Sequence, residues 1–146
     1  IWAFLTDFSI SLNYNRFHTN LELPSNYSIG KMKKFNINHN FGFGNYNMVA
    51  EITECIPPNR LCISEYCKDE KGKGFPHSIE FYLEPRRDKS KIFYTVSGTY
   101  GGKVQDLSFK PILKGVMIEE LIKIKHAIES SDTTSKPMAT ETVKLI

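Results

Sequence analysis

Several things this chain has little of narrow its reading. No run of apolar residues approaches the roughly 20 needed to cross a bilayer as a helix, so a transmembrane helix within the 146 residues is excluded. Cysteine is scarce: Cys55, Cys62 and Cys67 are odd in number and show no CxxC. That argues against a disulfide framework and fits reduced thiols in a cytoplasmic protein. Charge of one sign is also lacking. The 19 basic and 16 acidic residues are scattered, without the basic stripe of a phosphate-backbone binder, so no nucleic-acid partner is expected.

Chemical signatures are missing as well. No GxSxG nucleophile motif occurs. His18, His39, His77 and His126 fall on separate segments without metal-ligand spacing, so neither a metal nor a cofactor is expected. Phe41-Gly42-Phe43-Gly44 resembles half a dinucleotide fingerprint but joins two strands and opens no helix, which removes the mechanism that motif needs. Its two phenylalanines fit an apolar flap or ordinary hairpin packing. Asn26-Tyr27-Ser28 matches a glycosylation acceptor, relevant only to a secreted protein. No signal peptide is present, although the chain opens on Ile1 within a helical pattern and without an initiator Met, leaving a preceding targeting segment open.

What is abundant is alternation of apolar and polar residues. Two short helices open the chain, the second over Ser9–Tyr14 with Thr6 or Asp7 as its cap. Strands are then predicted over Phe17–Leu23, Ser28–Phe41, Tyr46–Cys55, Leu61–Cys67, His77–Glu84 and Lys91–Thr99. Proline, asparagine and glycine clusters separate them, and Lys68–Gly74 reads as a charged, solvated hairpin tip. Gly101-Gly102 ends the series, and a long helix follows from Asp106 or Ser108, with Pro111 in its first turn. At 100° per residue, Leu113, Val116, Met117, Leu121, Ile124, Ala127 and Ile128 share one arc. Residues 131–146 read as a linker and C-terminal tail after a domain of residues 1–130.

The resulting fold class is α+β: a curved antiparallel sheet in a helix-grip arrangement around one long C-terminal helix, with two short N-terminal helices. One helix of about 30 Å laid across a curved sheet leaves a gap rather than a sealed core, which predicts a hollow domain.

Ordered landmarks carry a resemblance. Trp2-Ala3-Phe4-Leu5-Thr6-Asp7, Ile29-Gly30, Glu51-Ile52-Thr53-Glu54 before Pro57-Pro58-Asn59-Arg60-Leu61, and Leu121-x-x-Ile124-Lys125-x-x-x-Glu129 follow one another as in a known superfamily. From Ile1 to about Glu129 the chain resembles SRPBCC proteins, the START-like and polyketide cyclase/dehydrase group that includes relatives of plant pollen allergens. The resemblance implies a seven-stranded antiparallel sheet around the long helix, with the family's first strand preceding Ile1. It also implies binding or transformation of lipids, sterols or polyketides. The superfamily shares no catalytic signature, so no catalytic residue carries over.

Strand parity places Tyr46, Met48 and Ile52, His77 and Phe81, and Tyr94 and Val96 on the inward face, and the helix arc adds Met117, Glu120 and Leu121. These ten are the candidate ligand-binding residues. Tyr46, Tyr94 and His77 would supply polar tips, unless they serve only as hydrogen-bonded core groups. Glu120 interrupts the apolar arc, where it is either a buried, protonated acid or a margin residue beside Lys123 after a small helix rotation. The leading function is binding or carriage of a small hydrophobic molecule. Alternatives are a cyclase or dehydratase using Glu120, and an interaction protein with a vestigial cavity. Thr140–Ile146 alternates like a strand and would pair with an open sheet edge, or else stay free where a preceding N-terminal strand fills that edge. The sequence leaves oligomeric state undetermined.

Overall fold

The alternating segments form one sheet. The computed structural model describes residues 1–25, 27–29, 33–42, 44–68, 74–87 and 89–131, together with the backbone of 142–145. Six strands run antiparallel in chain order: β1 His18–Glu22, β2 Lys34–Asn40, β3 Asn45–Ile56, β4 Arg60–Cys67, β5 His77–Arg86 and β6 Lys89–Gly98. Their inward positions are strongly apolar, with Phe35 and Ile37, Met48 and Ala50, Leu61 and Ile63, Ile79, Phe81 and Leu83, and Ile92 and Val96 all buried. Period-two alternation with one buried face is what an antiparallel sheet packed on one side requires.

Helix α3, Lys103–Ser131, closes that face. It buries Phe109, Val116, Met117, Glu120, Leu121, Ile124 and Ile128, whereas Leu113 and Ala127 are only half-buried at the edges of the stripe. Two short helices, α1 Trp2–Thr6 and α2 Phe8–Ser11, and a 3-10 turn over Leu12–Tyr14 pack at one end. Leu5, Phe8 and Leu12 are buried there, with the Phe8 ring 5.1 Å from that of Phe35 on β2.

Three boundaries differ from the sequence reading. Ser28 and Ile29 lie outside β2, because this stretch is anchored elsewhere: Tyr27 N–H donates to Pro24 O, and its hydroxyl donates to Asp7 Oδ1 at 2.9 Å beside α2. Helix α3 begins at Lys103, before the expected Asp106. The Asp106 carboxylate does not start the helix but holds the preceding loop, accepting from Thr99 Oγ1 at 2.8 Å and Tyr100 N–H at 2.5 Å. Pro111 therefore lies inside the helix rather than in its first turn. The carbonyl it cannot pair belongs to Leu107, which is 75% exposed and can be solvated, so the helix continues.

The third difference is the tail. Thr142–Leu145 forms β7 and adds to the sheet beside β6, in parallel, with Tyr94 opposite Val143 and Val96 opposite Leu145. A parallel neighbour needs a crossover, and α3 supplies it. The reading that left this tail free gives way to one in which it covers the edge of β6. Gly30, Phe43, residues 69–73 of the expected hairpin tip, and the Asn26 acceptor lie outside the described residues.

Candidate functional site

Three features of the interior carry chemistry. The first is a buried polar triad. Tyr94 on β6 donates its hydroxyl to Glu120 Oε2 at 2.8 Å, and Asn15 Nδ2 donates to the same oxygen at 3.0 Å. The Asn15 amide is oriented by its other end, where Oδ1 accepts the Phe17 N–H at 3.0 Å. Glu120 is 2% exposed, so the margin position beside Lys123 is not adopted; Glu119 takes it, accepting from Lys123 Nζ at 2.6 Å. Burial pushes the Glu120 carboxyl up to about 8, further raised by nearby Glu65, although the Tyr94 and Asn15 hydrogen bonds pull it down. Near neutral pH it keeps its proton. Burial and the neighbouring Glu120 raise Tyr94 well above the ordinary phenol range.

The second feature is a cavity of about 350 Å³ between the first turns of α3, the end of β6 and the Phe75 segment. Its wall is aromatic: Phe75 stacks on Tyr100 at 4.4 Å, and Phe109 meets Tyr100 edge-on at 4.2 Å. Val96, Leu107 and Leu113 extend the apolar lining, and Lys103, Asp106 and Lys110 bring charge to it. Gly98 also lines it. A Cβ there would come within 2.6 Å of both His77 Cβ and Pro76 O, so glycine lets β6 pass close to the start of β5.

The third is a cluster that sequence spacing concealed. His18 and His39 face each other across β1 and β2, and Glu65 and His77 across β4 and β5. In a flat sheet strands two apart are roughly 10 Å from one another, so β3 would separate the pairs. The curled sheet brings them together, with His39 Nε2 at 2.8 Å and His77 Nε2 at 3.4 Å from Glu65 Oε2. Glu65 is fully buried. Burial alone would raise its carboxyl, but positive charge on His77 and His39 would outweigh that and hold it down at about 2. Burial lowers His18 to about 4, against the pull of Glu65.

All ten expected lining residues lie toward the interior, but the structure divides them. Tyr94 and Glu120 join the buried triad, His77 the histidine cluster, and Val96 the cavity wall. Met48, Phe81, Met117 and Leu121 are packed core, with Phe81 stacked on Tyr94 at 4.6 Å. Tyr46 and Ile52 are half-buried and pack against the core; Ile52 stands opposite the buried Ile63, and the bulge that shifts the register follows it, between Ile52 and Glu54. Phe41 is buried among Phe17, His39, Tyr46 and Phe109 rather than covering a mouth as a flap. The residues sequence reasoning missed are Asn15, Glu65, Phe75, Tyr100 and Phe109. Glu65 carried a signal, since it continues the inward parity of Leu61 and Ile63 in β4.

The chain matches no known family profile, and no curated protein matches it. A solved crystal structure of a conserved protein from Geobacillus kaustophilus is similar at a TM-score of 0.61 and 20% identity, over 89% of this chain and 86% of that one. At that identity the likeness shows the fold.

Proposed function

We propose that the chain binds a small amphipathic molecule, with its apolar or aromatic body against Phe75, Tyr100 and Phe109 and an acidic end near Lys103 and Lys110. The aromatic-walled cavity carries this reading. Its volume of about 350 Å³ lies within the range of small-molecule sites, and apolar walls with few polar groups are what such sites use. The curved sheet around one helix supports placing the chain with SRPBCC proteins, and lipid, sterol or polyketide-like ligands would suit that placement. No helix of the described residues is long and apolar enough to cross a membrane. Cysteines that form no disulfide fit the cytoplasm.

Native mass spectrometry of gently purified protein tests this directly, since a retained molecule names the ligand class. An anionic, environment-sensitive naphthalene dye provides the second readout. Leu113→Trp, filling the cavity from a half-buried position, should weaken the dye by at least about ten-fold, some 1.4 kcal/mol, with melting preserved. Unchanged dye binding in that variant, with no retained molecule, would exclude the cavity as the site.

A second reading, a cyclase or dehydratase, is favoured by Glu120 alone. A carboxylic acid kept protonated near pH 7 with a phenol on it is a competent general acid. Conversion of a retained ligand by the wild type, lost in Glu120→Gln, would establish it.

A further inference from the structure

The histidine cluster takes no part in either reading, and its geometry is incomplete as a hydrogen-bond network. His18 Nδ1 lies 2.6 Å from Leu12 O, and His77 Nδ1 lies 2.7 Å from Phe75 O. A carbonyl oxygen only accepts, so both Nδ1 atoms carry the hydrogen and the neutral rings present bare Nε2 lone pairs. The His18 Nε2 lone pair is buried without a hydrogen-bond partner among the described residues. So are both nitrogens of His39 and both oxygens of Glu65: His39 approaches Glu65 at 2.8 Å but off the line a hydrogen bond needs. Native interiors leave few such atoms unsatisfied, and here they converge on one place.

Lone pairs that converge on a buried carboxylate without donors between them call for a cation. An imidazolium on His39 or His77 would neutralise the carboxylate yet leave the His18 lone pair unused. A metal ion satisfies both. Ligand atoms of His18, His39 and Glu65 all lie within 4.8 Å of one another, and His77 Nε2 borders the same carboxylate oxygen. Around a tetrahedral zinc, at about 2.0–2.2 Å from each ligand, the ligand atoms stand roughly 3.3 Å apart, which small side-chain rotations would reach. Hydrogen bonds from Nδ1 to backbone carbonyls are also the supports that orient metal-bound histidines.

We propose that His18, His39, His77 and Glu65 form a closed four-ligand site for a divalent first-row transition ion, zinc matching best. Three imidazoles and one carboxylate suit zinc, and four protein ligands leave no open position, so the ion stabilises the fold rather than activating water. The site lies behind the cavity wall, since Phe75, which lines the cavity, stacks on His77 at 4.8 Å. The proposal stands apart from the cavity reading and fails or holds independently of it.

The test uses the full chain, stripped with chelator and then supplied with Zn²⁺ or Co²⁺ both after folding and during refolding, so that access to a buried site does not limit uptake. The expected result is one equivalent per chain and a higher melting temperature with metal. Bound Co²⁺ should show the visible bands of a tetrahedral ion without thiolate charge transfer. His39→Gln and Glu65→Gln should each bind at least about ten-fold more weakly, whereas His126→Gln, at an exposed position of α3, should bind as wild type. Absence of uptake by refolded wild type, a thiolate band, or undiminished binding in both ligand variants would overturn the site. The wild-type measurements decide even where a ligand variant does not fold.

Discussion

Glu120 shows how one residue makes a fold pH-dependent. Its carboxyl titrates from a value of 4.5 when unperturbed and about 8 when folded. Between the two the folded chain holds a proton that the unfolded chain has released, so rising pH costs stability across that window and costs nothing further above it. In the metal-free chain His18 acts in the opposite sense. Lowered from 6.5 to about 4, it makes the fold more stable as pH rises through that interval, and its contribution is complete by 6.5. From pH 6.5 to 8 the Glu120 effect therefore stands alone among these two. Melting temperature should fall over that range in the wild type and stay flatter in Glu120→Gln; parallel curves would show that the carboxyl is not the titrating group. Gly74 is a second position where one side chain decides. Its φ of +69° and a Cβ only 2.8 Å from Cys67 Sγ and 2.9 Å from Tyr46 Cδ1 make Gly74→Ala destabilising by more than about 1 kcal/mol in denaturant titration.

At the scale of the element, α3 presents two apolar faces of unequal use. Leu121 is 1% exposed against the sheet, and Leu121→Ala should cost about 2–5 kcal/mol in chemical denaturation. Leu107→Ala, at a 75% exposed position beside the cavity, should change stability by no more than about 0.5 kcal/mol. Gly115 lies mid-helix, and none of the described residues would come within 4 Å of a Cβ there. Gly115→Ala should therefore raise stability by about 0.5–1 kcal/mol, a gain in helix propensity with no packing consequence. The helix wheel already separated the buried arc from Gly115, Lys123 and His126. It did not show that Val104, Leu107, Ile112, Ile118 and Ile122 stay exposed, because periodicity reports what is apolar and not which apolar side meets the sheet.

For the whole molecule, the sheet depends on how its last edge is covered. Pairing of Thr142–Leu145 with β6 removes a row of open backbone donors and acceptors from that edge. Deleting Met138–Ile146 should then lower the thermal midpoint or promote self-association through β6. An unchanged midpoint and mass would show that this strand adds nothing to the fold in solution.

Fold class, the succession of strands along the chain and the buried helix arc were legible in the sequence because they arise from local periodicity: two residues per repeat in a strand and 3.6 in a helix fix which side chains share a face. The inward set of Met48, Ile52, Phe81, Tyr94, Met117 and Leu121 followed from that rule, and a bulge shifts the register only after Ile52. Tertiary structure alone decided which inward residues meet. Tyr94 and Glu120 are 26 positions apart and Asn15 and Glu120 are 105 apart, yet they share one carboxylate oxygen. His18, His39, Glu65 and His77 have no common spacing, because ligand spacing is readable only where one element or turn holds the ligands. Here the curl of the sheet brings strands two apart into side-chain contact, and no local pattern encodes that curl.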